Sequence, residues 1–172
     1  MLGSTRLLWI VLLLSGVVMS EVCRADNGAA SAEVGKTLDQ FHAAASKADG
    51  PTYFGLFAPE GVFIGTDATE RWPVDEFRQY AMPFFSKGKG WTYTPGVRHI
   101  DLAPSEDVAW FDEILDNKSY GVCRGSGVLR KIGGKWRVSQ YHLTIPVPND
   151  LADTVVKMIR QGKGAPVKSP SK

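Results

Sequence analysis

Cysteine is scarce in this chain, two residues in 172. Cys23 falls in a leader-like N-terminal stretch, which leaves Cys123 alone, and a single cysteine forms no intramolecular bridge. Free cysteine behaves as a small hydrophobe, so a buried structural thiol is expected at Cys123. Three histidines spread among isolated acids give no metal-ligand spacing, and neither a metal nor a cofactor is expected. Gly-rich phosphate loops, a nucleophile elbow, HExxH and paired cysteines are all missing, which removes the commonest signatures of nucleotide, serine-hydrolase and zinc chemistry. A surplus of charge is missing too. Twenty Lys+Arg against 18 Asp+Glu leave a formal +2, too little to steer a polyanion, so no nucleic-acid partner is expected.

What the chain does have begins with an apolar run. Residues 7–19, LLWIVLLLSGVVM, follow Arg6 and suit a signal-peptide core, whereas a spanning helix needs roughly 20 apolar residues. Cleavage after Ser20 or after Ala25 is compatible with the small residues there. The polar Asp26-Asn27-Gly28 favours the second, which makes 1–25 a signal peptide. The expectation is export to the periplasm or beyond, with no stable membrane anchor after cleavage; an uncleaved anchor is the alternative. Losing Arg6, Glu21 and Arg24 lowers the formal charge from +2 to +1. Residues 26–32 read as a flexible linker and 162–172, rich in Gly, Pro, Ser and Lys, as a disordered tail.

Between these ends, Val34, Leu38, Phe41 and Ala45 recur at helical spacing and predict an amphipathic helix over 32–48. Asp49-Gly50-Pro51 stops it, and a short second helix follows over 52–57. Residues 62–65 read as a buried strand after a turn at 58–61. Pro73 with Asp75 and Glu76 opens a third helix running to about Phe85. The remainder reads as β: 91–97 continued by 98–103, then 108–115, 120–131 and 135–145, with a hairpin at Gly133-Gly134. A last helix is expected within 149–161. The fold class is therefore α+β: helices on one side of a strongly curved antiparallel sheet, bent at Gly121, Gly125 and Gly127. Such a sheet encloses a hollow suited to a ligand.

His42 in the first helix, Tyr53-Phe54 in the second and the run from Val62 through Asp67 to Trp72 resemble the SnoaL-like group of the nuclear transport factor 2-like superfamily. Val108-Ala109-Trp110-Phe111-Asp112, Gly134-Lys135-Trp136 and Gln140-Tyr141-His142 extend the resemblance over 33–148. It implies a cone-shaped α+β roll that dimerises through the outer face of its sheet. The superfamily holds isomerases, cyclases, dehydratases and non-catalytic adaptors, so no single activity is implied.

Alternation along the last strand puts Trp136, Val138, Gln140, His142 and Thr144 on one face, and Gln140 and His142 are expected to point into the hollow. Arg124 on the preceding strand is a candidate hook for an anion, or else a surface arginine. His42 and His142 are candidate proton carriers, with Asp67 or Asp112 to orient them; turn and cap formation is the plainer role for Asp67. Tyr53, Trp72, Trp91 and Trp110 are candidate aromatic walls. Whether Trp110 and Asp112 or Ala109, Phe111 and Glu113 face inward stays open. Binding of a small, partly apolar molecule, with or without acid/base chemistry, is the expected role; a dimeric structural or adaptor module is the rival.

Overall fold

Helix α1 (28–46) forms where Ala30, Val34, Leu38, Phe41 and Ala45 make a continuous stripe, and all five are buried. The computed structural model describes residues 28–162. The expected signal peptide and the end of the expected tail lie outside them. The expected linker is helical from 28 onward. Alanine has the highest helix propensity of all residues, and Ala30 extends the apolar stripe by one turn.

Helix α2 (Gly50–Gly55) is capped by Asp49, whose Oδ1 accepts from the Thr52 backbone N–H at 3.1 Å. It is one turn and a half, enough to bury Tyr53 and Phe54. Strand β1 (Phe57–Ile64) starts earlier than its sequence suggests. The residues expected as a turn, 58–61, are an irregularity within the strand, where its register shifts between Phe57 and Val62. After the short β2 (Arg71–Pro73), helix α3 (Val74–Phe85) buries Val74, Phe77, Ala81 and Phe85.

Four long strands complete the sheet: β3 (Thr94–Leu102), β4 (Val108–Asn117), β5 (Gly121–Ile132) and β6 (Lys135–Thr144). Gly133 and Gly134, at φ +57° and +76°, close the β5–β6 hairpin in the left-handed region that glycine adopts without strain. The strand order is β2-β1-β6-β5-β4-β3. β1 runs parallel to β6, while every other neighbour is antiparallel. The expectation of a wholly antiparallel sheet is thereby corrected to a mixed, open and curved one. Its cause is the chain's return: β6 is inserted between β1 and β5 rather than added at an edge.

One further departure sets the geometry of everything below. Val128 pairs with Gln140 but Leu129 pairs with Val138, so Ser139 is an extra residue on β6. A bulge of this kind shifts alternation by one. Trp136 and Val138 are buried before it, and Tyr141 and Leu143 after it. Gly127 sits beneath the bulge, where a Cβ would collide with the Gln140 carbonyl oxygen and meet Phe111 at 3.0 Å. A short 3-10 turn (Asn149–Leu151) leads into helix α4 (Ala152–Arg160), which buries no residue. Cys123 is buried and unbridged.

Candidate functional site

Strand β4 turns Ala109, Phe111, Glu113 and Leu115 toward the helices, and Trp110, Asp112 and Asp116 away from them. Glu113 is thus a carboxylate on an otherwise apolar face, with no exposed surface. Its two oxygens are taken up by three donors. His42 Nε2 donates to Oε1 at 2.7 Å, the Tyr141 hydroxyl to the same oxygen at 3.0 Å, and Arg98 Nε to Oε2 at 2.8 Å. Arg98 is held in turn by the Gly35 carbonyl at 3.2 Å and Asp39 Oδ1 at 2.8 Å, both on α1. Burial by itself would raise the Glu113 pKa. The hydrogen bond and charge of His42, and those of Arg98, outweigh burial and hold the carboxyl below its ordinary value.

Gly125 makes this cluster possible. A Cβ there would collide with the Tyr141 hydroxyl and stand 2.9 Å from Glu113 Oε1. The three glycines of β5 therefore have unlike roles: Gly125 gives the Tyr141–Glu113 bond its space, Gly127 accommodates the bulge, and Gly121 takes a left-handed φ of +69°.

Above Glu113 lies a small chamber of about 20 Å³, lined by Phe41, His42, Tyr53, Trp91, Tyr141 and neighbouring side chains. Tyr53 has no exposed surface, and its hydroxyl has no hydrogen-bond partner. Burial drives its pKa well above the usual tyrosine value and outweighs the opposing pull of the Trp91 indole N–H, which lies near the hydroxyl without completing a hydrogen bond. The Tyr141 pKa is likewise well above normal, through burial and then the adjacent Glu113 charge. A wider hollow of about 360 Å³ adjoins the chamber and shares Phe63, Trp91, Tyr93 and Leu143 with it. Phe77, Tyr80, Phe84 and Tyr120 make its walls aromatic, and Glu70 and Lys89 supply charge at its rim.

The residues singled out from the sequence separate into two sets. His42, Tyr53 and Trp91 come together around the chamber. Trp72 is half-buried and packs on Tyr80, ring centroids 5.1 Å apart, behind the wider hollow. Gln140 and His142 share no face with Trp136 and Val138, because the bulge at Ser139 transposes them; this corrects the expected alternation. Both lie on the outer face, where His142 is in register with Ser126, Ser126 with Asp112, and Asp112 with His99. Asp112 bonds His99 at 3.2 Å rather than His142. Trp110, 47% exposed, and Arg124, also exposed, are on that outer face and line neither hollow. Asp67 closes its own turn, accepting from the Thr69 backbone N–H at 2.8 Å and from the Thr69 hydroxyl at 2.6 Å.

Glu113, Arg98 and Tyr141 were not singled out beforehand. Glu113 had a signal: of the two faces of β4, the one holding Ala109, Phe111 and Leu115 is the more apolar, which makes the acid among them the buried one. Among the described residues, no group of three or more His, Cys, Asp or Glu side chains could hold a metal ion.

The sequence profile of the SnoaL-like domain matches residues 34–148. The chain belongs to the SnoaL-like domain family. No curated protein sequence matches it. Among solved structures, a nuclear transport factor 2-like protein of unknown function from Pseudomonas putida KT2440 superposes with a TM-score of 0.59 at 16% identity, covering 72% of this chain and 91% of that one. A cystatin-like-fold domain of unknown function from Nostoc punctiforme gives 0.61 at 15% identity, over 79% and 86% of the two chains. A nuclear transport factor 2-like protein from Streptomyces avermitilis with a provisional dehydratase label gives 0.58 at 12% identity, over 69% and 96%. At these identities the likeness is one of fold alone, and it agrees with the SnoaL-like architecture described above.

Proposed function

We propose that this SnoaL-like chain is an exported protein that binds a small molecule, with an apolar, ring-sized body in the aromatic hollow and a polar oxygen in the inner chamber. The observation that supports this reading most directly is Tyr53, which lines the same chamber as His42 and whose buried hydroxyl has no hydrogen-bond partner. A buried hydroxyl without a partner costs about 1–3 kcal/mol, and a ligand carbonyl or hydroxyl oxygen would relieve that cost. The chamber's volume of about 20 Å³ suits one such group and no ring.

The same groups support general acid/base chemistry. In the neutral form of His42, the Nε2–H donated to an ionised Glu113 leaves the ring's lone pair on Nδ1. A base oriented by a carboxylate, beside a tyrosine able to donate to a developing oxyanion, suits isomerisation, hydration or dehydration. His42 is the proton carrier in this proposal, Tyr53 the oxyanion donor, and Glu113 a positioning residue.

The test begins with native mass spectrometry of the protein as purified. A co-purifying compound with a ring and an oxygen function is expected, with binding lost in Tyr53→Phe and turnover lost in His42→Ala. Equal retention of the compound by both variants, or no thermal shift with any hydroxy- or oxo-substituted aromatic, would end the reading. Export rests on residues 1–25 and is checked by sequencing the N-terminus of the secreted protein.

A second proposal concerns the outer sheet face, which leaves Trp110, Val97 and Val122 exposed at 47%, 64% and 61%. Exposed apolar side chains on a sheet favour pairing with a second copy. A homodimer is expected in light scattering, and a monomer at micromolar concentration would exclude it. If no ligand is found while another protein co-purifies, the adaptor role takes precedence.

A further inference from the structure

A second concave site lies between α1, the end of α2 and the β5–β6 hairpin. Its volume is about 530 Å³, and it shares no lining residue with the chamber or the aromatic hollow. Lys36 and Gln40 reach it from α1, Thr52 from α2, and Lys135, Trp136 and Arg137 from the start of β6. Trp136 is 95% buried by area, being 5% exposed, yet its indole Nε1 has no hydrogen-bond partner. An indole N–H only donates, so the missing partner must be an acceptor.

The charge in that lining is predominantly positive. Lys36, Lys135 and Arg137 contribute three cations, while Glu33, the only acid in the lining, is engaged by Lys131 at 3.6 Å. Lys131 also stands over the Trp136 ring, 5.7 Å from its centroid, which makes the indole the centre of a cationic group. Arg137 spends one nitrogen on the Gly55 carbonyl and keeps its other donors. Two lysines, a guanidinium, hydroxyls and a carboxamide share the groove's lining with that unpaired indole, a set of donors suited to negative oxygen.

We infer that the groove between α1 and the β5–β6 hairpin binds an oxyanion, the carboxylate or phosphate of a small organic molecule, through the Trp136 indole N–H and the cations Lys36, Lys135 and Arg137. The site does not depend on the reading of the His42 chamber. Two lysines with an exposed approach also give the anion an electrostatic route in, and its affinity falls with salt.

The indole N–H resonance of Trp136 in a ¹⁵N-labelled sample reports the contact directly, and Trp136→Phe identifies that signal by its loss. Titrations use inorganic phosphate and acetate in separate arms, with chloride at matched ionic strength as the control. A saturable shift with one or both oxyanions is expected, the tighter arm identifying phosphate or carboxylate as the preferred group. Lys36→Ala with Lys135→Ala, both at solvent-facing positions, weakens that binding about tenfold. No movement beyond the chloride control overturns the proposal. A shift of unchanged midpoint in the double variant overturns it too, since the cations would then have no part in it.

Discussion

Glu113 and Asp112 are neighbours on β4, and each bonds a histidine from another element. The pleat sends Glu113 inward to His42 at 2.7 Å, with side-chain exposures of 0% and 8%. It sends Asp112 outward to His99 at 3.2 Å, with exposures of 53% and 67%. The chemistry of the two pairs is alike and their energetics are not. The outer pair competes with water and salt for its partners, so its net contribution is small. The inner pair has no water to fall back on, and it persists because Arg98 supplies a compensating charge and Tyr141 a further donor. A carboxylate's neighbours, more than the fact of pairing, determine what its removal does.

The sharpest test of that contrast is to neutralise each acid in turn. Glu113→Gln leaves the Arg98 guanidinium with the exposed Asp39 as its remaining ion-pair partner, and stability should fall by about 3–5 kcal/mol in urea unfolding. Gly125→Ala attacks the same cluster by volume instead of charge, pressing on Tyr141 and Glu113; about 1–3 kcal/mol is expected, read as a lower denaturation midpoint. Tyr141→Phe removes one of three donors and should cost about 1–2 kcal/mol, with His42 and Arg98 still holding the carboxylate. The contrast would break if Tyr141→Phe matched Glu113→Gln, because the charge would then count for little.

Acid titration sharpens the comparison further. The folded-state pKa of Glu113 lies below the ordinary glutamate value of 4.5, so the unfolded chain binds the proton more readily. Stability from this group is fully present above about 4.5 and is lost as pH falls through the lower, folded value. Urea midpoints measured from pH 6 downward should show that acid-side loss in the native chain and in Asp112→Asn. In Glu113→Gln the loss should be shallower. The smallest effect closes the series: Asp112→Asn at neutral pH should change stability by no more than about 0.5 kcal/mol. A larger loss would mean that the outer face is covered in solution, as in the proposed dimer.

Much of the frame was legible beforehand, because period and punctuation carry it. Val34, Leu38, Phe41 and Ala45 marked the buried stripe of α1, and the Gly133-Gly134 turn fixed the last hairpin. Those features are local, and local sterics produce them. The chamber was half legible: Tyr53, Trp91 and His42 could be chosen by residue type and by their place in the elements. The rest depended on a single inserted residue. Strict alternation through β6 puts His142 where Tyr141 stands, since nothing in Arg137-Val138-Ser139-Gln140 announces a bulge; its signal is Gly127, on another strand. Arg98 was hidden for a different reason. Its inward direction makes sense only once Glu113, fifteen residues on, and Asp39 of α1 are known to face it.

The strand order has a bearing on how the molecule comes into being. β6 is the last of the six strands along the chain, yet it lies in the interior of the sheet, between β1 and β5. Until it arrives, β1 has only the three-residue β2 at its side, and the aromatic side chains of α1, α2 and β1 have no sheet centre to close over. Closure of the sheet thus waits on the pairing of its first strand with its last, a contact of long sequence separation that is slow to form. A nascent chain halted before Lys135 would therefore present an open apolar surface to chaperones and proteases.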